Sequence, residues 1–154
     1  MSDYVYTFQK EKAREILSAN DVKQYEVDCV DKDELSEKIK SMKYGFVIRD
    51  NCVVNNVATP TKFSNYLANG IIPIYSSALG SFASFDRTNG LGIIYDLDKH
   101  EDGVETILAH MKTKLSSDEV YAKCLNAFDN YYNAEHYHRI ISEKVANLKL
   151  YIGK

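Results

Sequence analysis

Hydrophobic positions along the chain switch repeatedly between a two-residue period and a three-to-four-residue period, and the order of the switches predicts a fold. Tyr4–Phe8 reads as a strand, followed by a helix over Gln9–Ala19 whose apolar positions Ala13, Ile16 and Leu17 share one side. Asn20 and Asp21 end it. Tyr25–Val30 reads as a second strand, and Asp31 suits the N-cap of a helix reaching Met42 with Leu35, Ile39 and Met42 turned inward. Gly45–Ile48 is a short apolar run, expected as a buried strand.

A polar loop, Arg49–Thr59, leads to a clearly punctuated helix, Pro60–Asn69. Thr59 can cap it, Pro60 fits the first helical position, and Asn69-Gly70 supplies a left-handed stop. Ile71–Tyr75 is the next strand. Ser76–Asn89, rich in Ser, Ala and Gly, reads as a loop with one short helical turn, and Leu91–Tyr95 is the last strand. The remaining third is expected to be helical over Gly103–Lys114, Ser117–Tyr132 and Ala134–Tyr151, with Ser116-Ser117-Asp118-Glu119 in a cap-like arrangement. Strands alternating with helices imply an α/β fold, a Rossmann-like and mostly parallel sheet with helices on both faces, followed by a helical C-terminal third. With no internal repeat, low-complexity tract or linker, residues 1–154 are expected to form a single domain.

Composition narrows the function classes. A hydrophobic share of 45% against 27% charged residues argues for a folded chain. A formal charge of -3 gives no bulk positive field to gather nucleic acid. The apolar stretches around Gly70–Tyr75 and Gly90–Tyr95 are too short to span a bilayer, and the N-terminus lacks a signal-peptide layout, so a soluble, cytoplasmic chain is expected. Cys29, Cys52 and Cys124 form no C-x-x-C pair and are expected as buried free thiols. His136-Tyr137-His138 sets two imidazoles two residues apart, off a shared helix face, so no metal site is expected. Tyr121, Tyr131, Tyr132, Tyr137 and Tyr151 suit packing against the sheet or a partner domain better than base stacking. No Gly-rich phosphate loop of dinucleotide or P-loop type occurs.

Candidate chemistry gathers where strands end. In an open parallel sheet, ligands lie beyond the carboxyl ends of the strands, so the loops after Ile48 and Tyr75 should line one crevice. The helix between them opens Thr59-Pro60-Thr61-Lys62. Its first turn would offer unpaired amides, the positive end of the helix dipole, two hydroxyls and an ammonium, which together suit a phosphate or diphosphate. The same start also serves as an ordinary cap with a solvated lysine.

Tyr44-Gly45-Phe46-Val47-Ile48-Arg49-Asp50 and then Asn55-Asn56-Val57-Ala58-Thr59-Pro60-Thr61-Lys62-Phe63-Ser64-Asn65-Tyr66-Leu67-Ala68-Asn69-Gly70-Ile71-Ile72-Pro73-Ile74 form an ordered run. It resembles a passage in bacterial glycosyltransferases of the retaining, two-Rossmann-domain (GT-B) kind, the group 1 type that builds capsules and other surface polysaccharides. Tyr75-Ser76-Ser77 and Gly80-Ser81-Phe82 continue the likeness, which spans about residues 4–96. It implies the C-terminal, donor-binding half of a hexosyltransferase. Thr59, Thr61 and Lys62 would face the diphosphate of a nucleotide-sugar donor. Arg49 would reach into the crevice, or else pair with Asp50. Gly80 and Ser81 would let backbone approach the sugar. Asn65 stands where the family has a glutamate for the ribose hydroxyls, giving up a charge-assisted bond, and the earlier acidic residue of the family's pair would fall at Val57.

The resemblance further implies that the acceptor-binding N-terminal domain is missing, and that the isolated chain binds donor without turning it over. No cofactor or metal is implied, and membrane association would be peripheral at most. Two alternatives are a stand-alone donor-binding subunit and a noncatalytic flavodoxin-like interaction domain.

Overall fold

The computed structural model of the chain describes residues 3–7, 9–58, 60–113 and 117–152. Its strands are all parallel and alternate with helices, the α/β, Rossmann-like pattern expected from the sequence. They form two small sheets instead of the single sheet expected, and the chain divides into two compact units, Met1–Ile39 and Lys40–Lys154.

In the first unit, β1 (Asp3–Tyr6) pairs in parallel with β2 (Tyr25–Asp28), and α1 (Lys10–Ala19) connects them. Of the apolar side expected on α1, Ala13 and Leu17 are half-buried, but Ile16 is exposed. Strand β2 stops at Asp28, two residues before the expected Val30, and there the Asp28 carboxylate accepts the Cys29 amide at 2.8 Å. That bond and the Lys10 ammonium at 3.3 Å hold the Asp28 carboxyl below its ordinary range. The next helix, α2 (Lys32–Ile39), takes its first bonds from the Glu34 and Leu35 amides to the Asp31 carbonyl, as a cap at Asp31 requires. Ile39 is buried, with Leu35 half-buried. Phe8 lies outside the described residues.

The second unit is built on a three-stranded sheet in the order β3 (Tyr44–Val47), β4 (Ile72–Ser76), β5 (Ile93–Tyr95). Central β4 is buried along its whole length, as a parallel strand covered on both faces should be. The edge strands are not. Gly45 and Val47 are buried while Phe46 is exposed, so the run expected as a buried strand has one open face. Register pairs Phe46 with Ile74 and Ile74 with Ile93.

Two cores flank this sheet. One gathers Ile72, Ile74 and Ile93 with Leu67 of α4 (Thr61–Ala68) and Val120, Cys124 and Ala127 of α7 (Ser117–Tyr131); Ile107 and Met111 of α6 (His100–Lys112) pack at its margin. The other joins Val47 and Tyr75 to Phe63 of α4, Leu79, and Phe82 of α5 (Gly80–Asn89). There the Phe63 and Phe82 rings stack at 3.5 Å, and Tyr75 stands edge-on to both. Each such pair is worth ~0.5–1.5 kcal/mol beyond the area it buries.

Two helices stand where loops were expected. Within Arg49–Thr59 lies α3 (Val53–Val57), and α5 fills most of Ser76–Asn89. The last helix, α8 (Ala134–Ile152), packs against α7. Tyr131 and Tyr132 approach Phe85 edge-on, the packing role expected of that tyrosine set, although Tyr131, like Tyr121 and Tyr137, is partly open to solvent. Of the cysteines only Cys124 is buried; Cys29 is half-buried and Cys52 exposed, against the expectation for all three. The cap-like serine at 116 and the helix end at Lys114 lie outside the described residues, as does the side chain of Tyr151.

Candidate functional site at the carboxyl end of the second sheet

The segment after β3 is clasped to the end of β4 by one buried hydroxyl. Ser76 Oγ accepts the Arg49 amide at 3.0 Å and donates to the Arg49 carbonyl at 2.8 Å. Both bonds are spent on backbone, so the Arg49 side chain is left exposed beyond the strand ends. It has no ion-pair partner among the described residues, Asp50 included.

Helix α4 begins one residue later than expected. Pro60 has φ −62° and ψ 134°, and its carbonyl accepts the Phe63 amide at 3.0 Å, so it is the N-cap and not the first helical residue. The proline ring fixes φ to a value common to helix and extended chain, and only ψ separates the two placements. Thr59, expected as the cap and as a phosphate ligand, lies outside the described residues. A proline cap supplies no side-chain acceptor, so the amides of Thr61 and Lys62 have no intrahelical partner and, among the described residues, no capping partner. Thr61, Lys62 and Asn65 are exposed, on the side of α4 away from buried Phe63 and Leu67. Lys62 has no ion pair among the described residues.

The other end of α4 is the left-handed stop expected at Asn69-Gly70. Gly70 has φ +70°, its amide bonds the Leu67 carbonyl at 3.1 Å, and the Ile71 amide reaches back to Tyr66 at 2.9 Å. These two bonds make a Schellman motif. Along the body of α4, the Tyr66 ring lies where a Cβ on Gly45 would come within 2.5 Å, and its hydroxyl donates to the Phe46 carbonyl at 3.3 Å. Glycine at 45 thus sets how closely α4 sits on β3, and burial pushes the Tyr66 phenol above its ordinary range.

Gly80 and Ser81 meet α3. A Cβ on Gly80 would stand 3.3 Å from the Asn56 carbonyl, and the Ser81 hydroxyl donates to the Val57 carbonyl at 3.3 Å. The close approach allowed by glycine at this position is therefore made by the last turn of α3. This partner is not legible in the sequence, where Arg49–Thr59 reads as a polar loop.

Two residues that shape the end of the sheet were not singled out from sequence: Ser76, the clasp, and Asp86. The buried Asp86 carboxylate accepts the Tyr75 hydroxyl at 2.7 Å and the Leu91 and Gly92 amides at 2.6 and 2.9 Å. Burial, and then this carboxylate, drive the Tyr75 phenol well above its usual range. A small, partly open pocket of about 30 Å³ lies among Ile72, Leu91, His110, Val120 and Cys124, toward the amino ends of β4 and β5 and away from the α4 start.

Comparison with protein-family models, with curated proteins and with solved structures finds no match to this chain.

Proposed function

We propose that the second unit binds the diphosphate of a nucleotide-sugar donor at the start of α4, as the donor-binding half of a GT-B glycosyltransferase of surface-polysaccharide synthesis. The observation that carries the reading is the open first turn of α4. Its cap is a proline without side-chain acceptor, the exposed side chains of Thr61 and Lys62 are committed to nothing else among the described residues, and it follows a strand end from which Arg49 is exposed. Free first-turn amides with a nearby ammonium and guanidinium are the standard chemistry for an anionic phosphate. The ordered resemblance of residues 44–75 supplies the donor class.

In this reading the chain's contribution is electrostatic. Negative charge grows on the departing diphosphate as the glycosidic bond breaks, and the α4 amides, Lys62 and Arg49 stabilise it. Thr61 donates a hydroxyl to a phosphate oxygen, and Asn65 bonds the ribose diol with a neutral amide. The acceptor and any base come from a separate domain or subunit, so the chain alone binds donor and does not transfer it.

Titration of the whole chain with UDP, GDP and pyrophosphate, followed by amide NMR, tests this directly. Resonances of residues 61–65 should move. Lys62→Ala should weaken binding by roughly 10–100-fold, the value of one hydrogen bond to a charged group. Asn65→Glu should preserve or tighten nucleotide binding. Unmoved resonances at 61–65, or equal affinity in all three proteins, removes the assignment.

A further inference from the structure

Asparagine is followed by glycine twice in the chain, at Asn69-Gly70 and Asn89-Gly90. This dipeptide is the one most prone to lose its side-chain amide spontaneously, because the glycine nitrogen is unhindered and its backbone turns freely toward the asparagine side chain. The two copies end α4 and α5, and both glycines have positive φ. Each native turn is unreactive as it stands. The Gly70 and Gly90 amides donate to the Leu67 and Asp86 carbonyls at 3.1 and 2.6 Å, and the Asn69 and Asn89 side chains point back along their helices, donating to the Asn65 and Phe85 carbonyls at 2.8 and 2.9 Å. Attack therefore waits on opening of the last helical turn, and what resists that opening differs between the two. At half-buried Gly70 a Cβ would run into the Tyr121 ring of α7, and the Ile71 amide adds a second bond to the Tyr66 carbonyl. Opening there must displace a neighbouring helix. Gly90 is exposed, and a Cβ on it would meet nothing within 4 Å, so no neighbouring ring has to move.

We infer that Asn89 is a site of spontaneous deamidation in the folded protein, and that the packing of α7 on Gly70 withholds Asn69 from the same reaction. The Gly90 nitrogen bonds to the Asn89 side-chain carbonyl carbon, the bond from that carbon to Nδ2 breaks, and the Gly90 amide proton leaves with Nδ2 as ammonia, closing a succinimide. Water then opens the ring at either carbonyl, leaving aspartate or isoaspartate at 89. The net change is hydrolysis of one amide, with water as the only co-reactant. Its product loosens the α5–β5 junction. A carboxylate cannot donate to the Phe85 carbonyl, and it sits at the negative end of the α5 dipole. Isoaspartate also adds a methylene to the backbone just before the Leu91 and Gly92 amides that Asp86 holds.

The experiment is incubation of the whole chain in mildly alkaline buffer, with and without denaturing urea, followed by tryptic mass mapping. Cleavage after Lys62, Arg87 and Lys99 puts the two sites in separate peptides, 63–87 and 88–99. In the folded protein the amide-to-acid mass gain should appear at Asn89 at least several-fold faster than at Asn69, and in urea the two rates should converge. Tyr121→Ala should raise the Asn69 rate in the folded protein and leave the Asn89 rate unchanged. The urea midpoint should fall as Asn89 converts. Asn89→Gln, whose longer side chain closes a ring far more slowly, should abolish both the mass gain in peptide 88–99 and the fall in midpoint. Equal rates at the two sites in the folded chain, a faster Asn69, or no conversion at either overturns the proposal. So does an Asn69 rate that Tyr121→Ala leaves unchanged, or a midpoint that stays fixed while Asn89 converts.

Discussion

Removing the Asp86 carboxylate should be among the most damaging single changes in the second unit. It accepts three hydrogen bonds from Tyr75, Leu91 and Gly92 at 2.7, 2.6 and 2.9 Å, and Tyr75, Leu91 and Asp86 itself are buried. Alanine leaves two buried donors and one partly buried donor without an acceptor, and a small void where the carboxylate stood. A buried unsatisfied donor costs about 1–3 kcal/mol, and neighbours relax, so the whole change should cost about 3–5 kcal/mol. That is a large share of an ordinary domain stability of about 5–15 kcal/mol. Asparagine is the control. Its amide oxygen can keep both backbone amides while its NH2 donates to the Tyr75 hydroxyl, so Asp86→Asn loses mainly charge assistance, about 1–2 kcal/mol.

Urea unfolding followed by far-ultraviolet circular dichroism reads these differences from the midpoint and slope. Tyr75→Phe should also cost about 1–2 kcal/mol, and the double variant with Asp86→Asn should fall short of the summed losses by at least ~0.5 kcal/mol, because the two groups share one bond. The reasoning fails if Asp86→Ala costs under about 1 kcal/mol, or if asparagine is as costly as alanine; either result would mean that the carboxylate does not hold the α5–β5 junction.

Gly70 and Gly90 both have positive φ, but a methyl at 70 would run into the Tyr121 ring whereas a methyl at 90 meets nothing within 4 Å. Gly90→Ala should therefore cost about 1–2 kcal/mol from backbone strain alone, with Gly70→Ala about 1 kcal/mol worse and that excess recovered by adding Tyr121→Ala, as measured by urea midpoint. Stability should also fall in alkali. Burial, with a smaller contribution from Asp86, pushes the Cys124 thiol up to about 11 from an ordinary value of 9.0, so its contribution is complete below pH 9 and is lost as pH rises through 11. Cys124→Ala should flatten the fall between pH 9 and 11 in a series of urea titrations; an unchanged slope would refute the linkage.

The parts of the fold legible in the sequence are those in which local chemistry and packing agree. Helix α4 announces itself through proline at its start and Asn69-Gly70 at its end, and the apolar run 71–75 is a buried central strand whose exact bounds, Ile72–Ser76, differ by one residue. Elsewhere a tertiary contact decided the outcome. Val53, Val54 and Val57 are poor helix formers and are exposed, yet α3 forms with its last carbonyls against Gly80 and Ser81, 24 residues and more along the chain. Helix α5 was hidden by its Ser, Ala and Gly content, although Leu79, Phe82 and Asp86 carry the helical spacing of its buried side. Strand β5 begins at Ile93 and not Leu91: the Leu91 amide, on the side that faces β4, is taken by Asp86, and Pro73 has no N–H to donate to the Leu91 carbonyl. Of the candidate site, Lys62 and Arg49 were legible from their places after a strand and at a helix start. The Ser76 clasp was not, since a serine after a strand is ordinary until its two bonds to Arg49 are seen.

The distribution of satisfied polar groups bears on where the second unit has room for a ligand. Before β5, both oxygens of the buried Asp86 carboxylate are engaged internally, by one hydroxyl and two amides, and a variant there should register as lost stability. At the carboxyl end of β3, the buried hydroxyl of Ser76 is likewise consumed by backbone, but the side chains it positions are not: Arg49, Thr61 and Lys62 are exposed. Folding alone gives no reason to leave a helix start capped only by proline beside such groups, since Ser, Thr, Asn or Asp at the cap stabilises a helix by about 1 kcal/mol. A polar cap at position 60 therefore separates the two explanations. Pro60→Ser should raise the urea midpoint if the open turn is merely a weak helix start, and should at the same time weaken pyrophosphate binding if that turn holds an anion, because the new side chain would compete for the same amides. Higher stability with unchanged binding would place the anion elsewhere.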